Sequence, residues 1–200
     1  MRKLRIFALM LFIASAAACS PREFLTRRLA TDLIAGSDSF KSPQQFWLRT
    51  GVISNKDYLS PEYLVLQRHG WITGSNAACP PDINPSPCWD VALTPNGVNV
   101  FRDLIPADQT VSQYFSVTAA RRELLEVTGI AKSDNQAEAD FRWKWVPLNA
   151  VGSALYNEGV EYDSTVAFRY YDDGWRLMEG SVPKADQGMD DALKNAEPAQ

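Results

Sequence analysis

The sequence predicts an α+β fold: a helical N-terminal half with a small disulfide-stapled hairpin, packed with a C-terminal antiparallel β-sheet. Three observations lead there. Helix-start signals cluster before residue 106, at Ser42-Pro43-Gln44-Gln45, Ser60-Pro61-Glu62 and Thr94-Pro95, each with proline at the first helical position behind a hydroxyl cap. From Glu138 to Val146 the chain alternates, with Ala139, Phe141, Trp143 and Trp145 on one face and Glu138, Asp140, Arg142 and Lys144 on the other, which is the period of a half-buried antiparallel strand. Two further apolar runs, Val166 to Tyr171 and Trp175 to Met178, flank Asp172-Asp173-Gly174, a hairpin signal.

The chain opens on Arg2, Lys3 and Arg5, then an apolar run from Ile6 to Ile13 that is too short to span a bilayer as a helix. Small residues follow from Ala14 to Ala18, and then Cys19, Ser20 and Pro21. This arrangement resembles a bacterial lipoprotein export signal over residues 1–20, with Ala16 where leucine is usual in that family. An ordinary secretory signal cut at the same A-x-A site is the alternative. The resemblance implies removal of residues 1–18, lipid on the Cys19 thiol and amine, and a protein held on the cell envelope by a tether at 19–21. Ser20 in place of aspartate resembles sorting to the outer membrane, on its periplasmic face, in Gram-negative cells. Cysteine arithmetic agrees: of three cysteines, a lipidated Cys19 leaves Cys79 and Cys88 to pair in an oxidising compartment.

Loss of the leader removes three basic residues and no acidic ones, leaving 17 basic against 24 acidic residues and a net charge of −7 before counting termini. That balance, with export, argues against nucleic acid as a partner. Residues 22–106 are expected to form a mainly helical subdomain, 107–182 an antiparallel β subdomain, and 183–200 a flexible acidic tail. Arg22 to Ala35 reads as the first helix, with Leu25, Leu29 and Leu33 on one face. Its Arg22, Arg27 and Arg28 either meet lipid headgroups or form a solvated face. The second helix starts at Ser42, carries Phe46, Trp47 and Leu48, and stops at Gly51; the third runs from Ser60 to His69 and stops at Gly70.

Trp71 to Thr73 and Trp89 to Leu93 read as strands, and Thr94-Pro95 opens a helix through Leu104. The order helix, Gly, strand, loop, strand, LTPNG, helix resembles part of a winged-helix domain over about residues 43–105, which implies a fold and no DNA role. The loop from Gly74 to Cys88 holds four prolines, and a Cys79–Cys88 disulfide would staple it. A C-x8-C pair lacking further histidine or cysteine is a poor metal site. Beyond Gln113 strands are expected at Tyr114–Ala120, Glu123–Ala131 and 138–146, with a turn at Ser133-Asp134-Asn135-Gln136 and a short helix or turn at Asn149–Tyr156. With hairpin turn residues Asp173 and Gly174, Tyr170 faces Leu177, Phe168 and Trp175 share that core side, and Tyr171 points away.

No catalytic residue, metal site or cofactor is assigned. The single histidine, His69, sits at a helix C-terminus, and no GxSxG, HExxH or phosphate-binding glycine loop is present. Carboxylates at Glu158, Glu161, Asp163, Asp172 and Asp173 fall in loops and turns, where they need no catalytic role. Trp143, Trp145, Trp175 and Tyr171 are the candidate ligand or surface contacts, against the alternative of a packed core. The expected function is a membrane-anchored, non-catalytic envelope lipoprotein that binds or scaffolds a periplasmic protein partner. Glycan or small-ligand binding, and then an envelope hydrolase, are the alternatives. Cys19→Ala is expected to leave the protein soluble or uncleaved in cell fractionation; unchanged membrane retention would refute lipidation.

Overall fold

The computed structural model describes residues 24–81, 83, 87–105, 113–181 and 186–199. The leader, Cys19, the tether and Arg22 lie outside the described residues.

The fold is mostly β, with 44% strand against 28% helix, so the expected α+β architecture with a helical N-terminal half is corrected. The helices are short: α1 Arg27–Gly36, α2 Asp38–Lys41, α3 Asn55–Tyr58, α4 Pro61–Arg68, α5 Pro95–Phe101, α6 Ala150–Leu155 and α7 Met189–Lys194. The strands are β1 Gln44–Arg49, β2 Gly51–Ser54, β3 Ile72–Ala77, β4 Cys88–Leu93, β5 Tyr114–Ser133, β6 Gln136–Pro147, β7 Glu161–Tyr171, β8 Gly174–Leu177 and β9 Glu197–Pro198. They form a six-stranded sheet in the order β1-β5-β6-β7-β8, with β9 on β7, and a three-stranded sheet in the order β2-β4-β3.

The largest difference is at Gln44–Arg49, where a helix start is expected and an edge strand stands. The Ser-Pro-Gln-Gln signal is local, whereas the following residues alternate. Phe46 and Leu48 are buried while Trp47 and Arg49 are exposed. Pairing with β5 aligns Phe46 with Val117 and Leu48 with Phe115, and tertiary burial overrides the propensity. Gly51, at φ +79°, turns the chain from β1 into β2. In the second half, the two strands expected at 114–120 and 123–131 are one strand of 20 residues.

Other elements stand near their expected places, although α1 starts at Arg27 and not at Arg22. Thr26 caps α1, Thr94 caps α5 through the Gly97 N–H at 3.0 Å, and Asn149 caps α6 through the Gly152 N–H at 2.9 Å. A Cβ on Gly97 would stand 1.9 Å from the Trp71 carbonyl oxygen, so only glycine permits α5 to begin there. The Cys79–Cys88 disulfide is present, with Cα atoms 5.2 Å apart, and closes the β3–β4 loop. The β7–β8 register is shifted by two residues from expectation. Tyr171 pairs with Gly174, Tyr170 with Trp175 and Phe168 with Leu177, so Asp172 and Asp173 are the turn. A shift of two preserves the faces, because side chains alternate with period two. The segment after residue 183, expected as a frayed tail, instead carries α7 with Met189 and Ala192 fully buried.

The chain divides into two compact units: Met1–Phe40 with Leu124–Arg142 and Asp163–Glu197, and Lys41–Glu123 with Trp143–Tyr162 and Pro198–Gln200. β5, β6 and β7 each contribute residues to both. The first unit buries Ile34, Phe40, Phe141, Phe168, Trp175 and Met189. Phe40 meets Phe141 edge-on with ring centres 6.4 Å apart. The second unit has a core of Phe46, Leu48, Ile53, Tyr58, Tyr63, Leu66, Trp71, Val91, Phe101, Phe115 and Val117 among others.

Trp143 is 1% exposed, whereas Tyr171 is 38% exposed. Trp143→Ala is therefore expected to cost about 3–5 kcal/mol in urea unfolding, and Tyr171→Ala to change stability by about 0.5 kcal/mol or less. Equal effects of the two would contradict this packing.

Candidate functional site

The second unit carries a cleft of about 360 Å³ along the outer edge of β1, lined by Gln44, Gln45, Phe46, Trp47, Arg49, Asp57, Ser60, Glu62, Tyr63, Tyr114 and Tyr156. Its rim follows from the alternation of β1. Because Phe46 and Leu48 enter the core, Gln45, Trp47 and Arg49 point the other way. Tyr114 and Ser116 of β5 face Arg49 and Trp47 across the ladder. Trp47 and Tyr114 thus lie side by side, ring centres 5.7 Å apart, yet remain 55% and 50% exposed. Behind them Gln45 is fixed in orientation: its Oε1 accepts from Ser116 Oγ at 3.0 Å and its Nε2 donates to Thr118 Oγ1 at 3.0 Å.

The wall comes from α3 and α4. Ser54 caps α3 and donates to Asp57 Oδ2 at 2.8 Å, which holds that carboxylate on the first turn. Ser60-Pro61-Glu62 opens α4 and places Tyr63 against the strand edge. The Tyr63 hydroxyl accepts from the Arg49 N–H at 2.7 Å and donates to the Arg49 carbonyl at 2.9 Å. One phenol thereby satisfies both outward backbone groups of Arg49, as a neighbouring strand residue would. Burial pushes the Tyr63 pKa above its ordinary value, and the bond from the Arg49 backbone opposes the shift only in part.

At the back, Gln44 meets Arg122. Arg122 donates to Gln44 Oε1 at 3.4 Å and to the Ser42 carbonyl at 3.2 Å, and its guanidinium lies 4.7 Å over the Trp145 ring and 5.9 Å over Trp143. Tyr156 lines the cleft here, and its pKa is raised by burial and by the negative charge of Glu62. Tyr156 packs on Trp145 with centres 4.9 Å apart, and Tyr162 stacks on Trp143 at 4.9 Å. This aromatic and cationic cluster stiffens the back of the cleft.

The candidates read from sequence fall differently. Trp143 and Trp175 are core residues, and Trp145 is half-buried against Tyr156. None of the three lines the cleft. Tyr171 is exposed, in the first unit, beneath the Arg176 guanidinium at 4.8 Å. Arg176 also bonds Asp173 and holds that carboxyl below its ordinary range. His69 caps the end of α4 and stacks on Trp71 at 4.6 Å. Among the described residues no group of three or more His, Cys, Asp or Glu side chains is placed to hold a metal ion, and no helix is long and apolar enough to cross a membrane. Sequence reasoning missed Trp47, Arg49, Glu62 and Tyr114. The available signal was the alternation Phe46-Trp47-Leu48-Arg49, which the helix-start signal at Ser42 outweighs in a local reading.

Comparison of the chain with protein-family models, with curated proteins and with solved structures finds no match in any of the three.

Tyr63 ties α4 to β1, so Tyr63→Phe is expected to cost about 1–3 kcal/mol at neutral pH, since it leaves the Arg49 backbone groups unsatisfied. Its folded pKa is raised above the ordinary value of 10.0, so its contribution is complete below that value and is lost as pH rises through the folded pKa. Urea unfolding of the parent should show this alkaline loss, and the Phe variant should lack that component. A variant as stable as the parent at neutral pH would remove Tyr63 from this role.

Proposed function

We propose that the protein is a lipid-anchored, non-catalytic binding protein of the cell envelope, and that the cleft on β1 is its recognition site. The anchor reading rests on the basic-then-apolar leader and on Cys19 behind Ala-rich residues. Several acyl chains would hold such a protein firmly where one chain is marginal.

The observation that carries the recognition reading is the exposed Trp47–Tyr114 pair at the rim of a cleft lined by amide, hydroxyl and charged side chains. Large aromatics beside one another in solvent mark contact sites more often than isolated exposed apolar residues do. Contact with a protein partner at the same place is the second reading, since Trp47, Tyr114 and Arg49 are the residue types that dominate interface energetics.

The test is affinity capture by the tagged full chain from gently solubilised envelopes, with Trp47→Ala and Tyr114→Ala alongside. Both side chains are half exposed or more, so both variants should melt like the parent. The parent should retain envelope material that both variants lose. Equal recovery by all three would overturn the assignment of this cleft.

A further inference from the structure

Resting on the reading of the β1 cleft as a recognition site, we propose that its ligand is a saccharide chain, held on the Trp47–Tyr114 pair, and not an added peptide strand. The backbone of β1 decides against the strand. The Tyr63 bonds show that the Arg49 N–H and C=O face away from β5, and by the two-residue period those of Trp47 and Gln45 do as well. A peptide strand would need this row of outward groups. Tyr63 occupies the pair at Arg49, and the Gln45 carbonyl accepts from Gln44 Nε2 at 3.2 Å. The ladder is also irregular between Gln44 and Gln45. With the Arg49 pair and the Gln45 carbonyl engaged, the row is interrupted on both sides of Trp47, which is how natural sheets prevent edge pairing.

What the cleft does offer is side chains, and their chemistry matches a sugar. One face of a pyranose ring is a patch of C–H groups that packs on an aromatic face, and its rim carries hydroxyls that both donate and accept. The exposed aromatic pair supplies the first surface. Glu62 and Arg49 supply an acceptor and a donor, and among the described residues neither is engaged in an ion pair. Gln44 and Gln45 are already fixed by their own bonds, so little side-chain freedom is lost when a ligand arrives. The volume lies in the usual range for small-ligand sites, about 300–1,000 Å³, and the cleft is open to solvent, so it admits a segment of a longer chain.

Tryptophan fluorescence provides the test. Of the six tryptophans, Trp47 is the one with large exposure, so a ligand on it alters iodide quenching with little change at the others. The probes are the β-1,4-linked tetramers of N-acetylglucosamine and of glucose, titrated into the detergent-purified full chain; the pair separates an N-acetylated wall glycan from a neutral polysaccharide. At least one is expected to protect Trp47 saturably from iodide. Trp47→Ala should abolish the signal, and by calorimetry it should weaken binding by about tenfold or more. Glu62→Gln, which leaves the fold's own hydrogen bonds untouched, should weaken it by several fold. Absence of saturable binding by both tetramers, while envelope capture still depends on Trp47, would overturn the saccharide and point to protein contact. Absence of binding together with capture that ignores Trp47 would overturn the recognition site itself.

Discussion

The pairing of β1 with β5 governs the second unit. It places Phe46 opposite Val117 and Leu48 opposite Phe115 in the core, and in the same register it sets Trp47 and Arg49 beside Ser116 and Tyr114 on the outer face. A slip of one residue would exchange those sets, burying an arginine and exposing two large apolar side chains. The core therefore fixes the site: the aromatic pair stands outside because its neighbours along the strand are needed inside. The same alternation separates two glutamines. Gln45 is tied to Ser116 and Thr118, whereas Gln44 turns to Arg122 and to the Gln45 carbonyl.

A single hydroxyl manages the exposed edge that this pairing creates. An edge strand presents unpaired donors and acceptors that invite aggregation. Tyr63 meets both groups of Arg49 and is itself buried in the core, so it joins α4 to the strand while closing the edge. A phenol suits this place because its oxygen accepts while its proton donates, and its ring contributes apolar burial. Arg122 has a related role at the other end of the cleft. Its planar cation covers Trp145 and reaches the Ser42 carbonyl and Gln44, which joins the end of β1 to the aromatic cluster.

Much of the fold was legible where a segment's own pattern matched its final environment. The alternation of Ala139, Phe141 and Trp143 reads directly as the buried face of β6, because one side of that strand meets a core. Thr94-Pro95 announces α5, and Cys79 and Cys88 pair as their number suggests. Legibility failed where local signals and tertiary pairing disagreed. Ser42-Pro43-Gln44-Gln45 satisfies every requirement of a helix start, yet β5 offers Phe46 and Leu48 a place that a four-residue signal cannot outweigh. The segment from Gly188 to Pro198 failed for another reason: it is polar, and only Met189 and Ala192 bury apolar side chains, too few residues to show a period.

The sequence by itself determined the aromatic and apolar inventory, the faces of β6 and of the β7–β8 hairpin, the disulfide and the leader pattern, because each depends on residues close together in the chain. Tertiary structure alone decided that β1 is a strand and that Trp47 and Tyr114 meet on its outer face. Trp47 and Tyr114 are far apart in sequence, and nothing local distinguishes an aromatic that fills a core from one that stands on a rim. That choice belongs to the register of a long-range strand pair, set by what the opposite strand must bury.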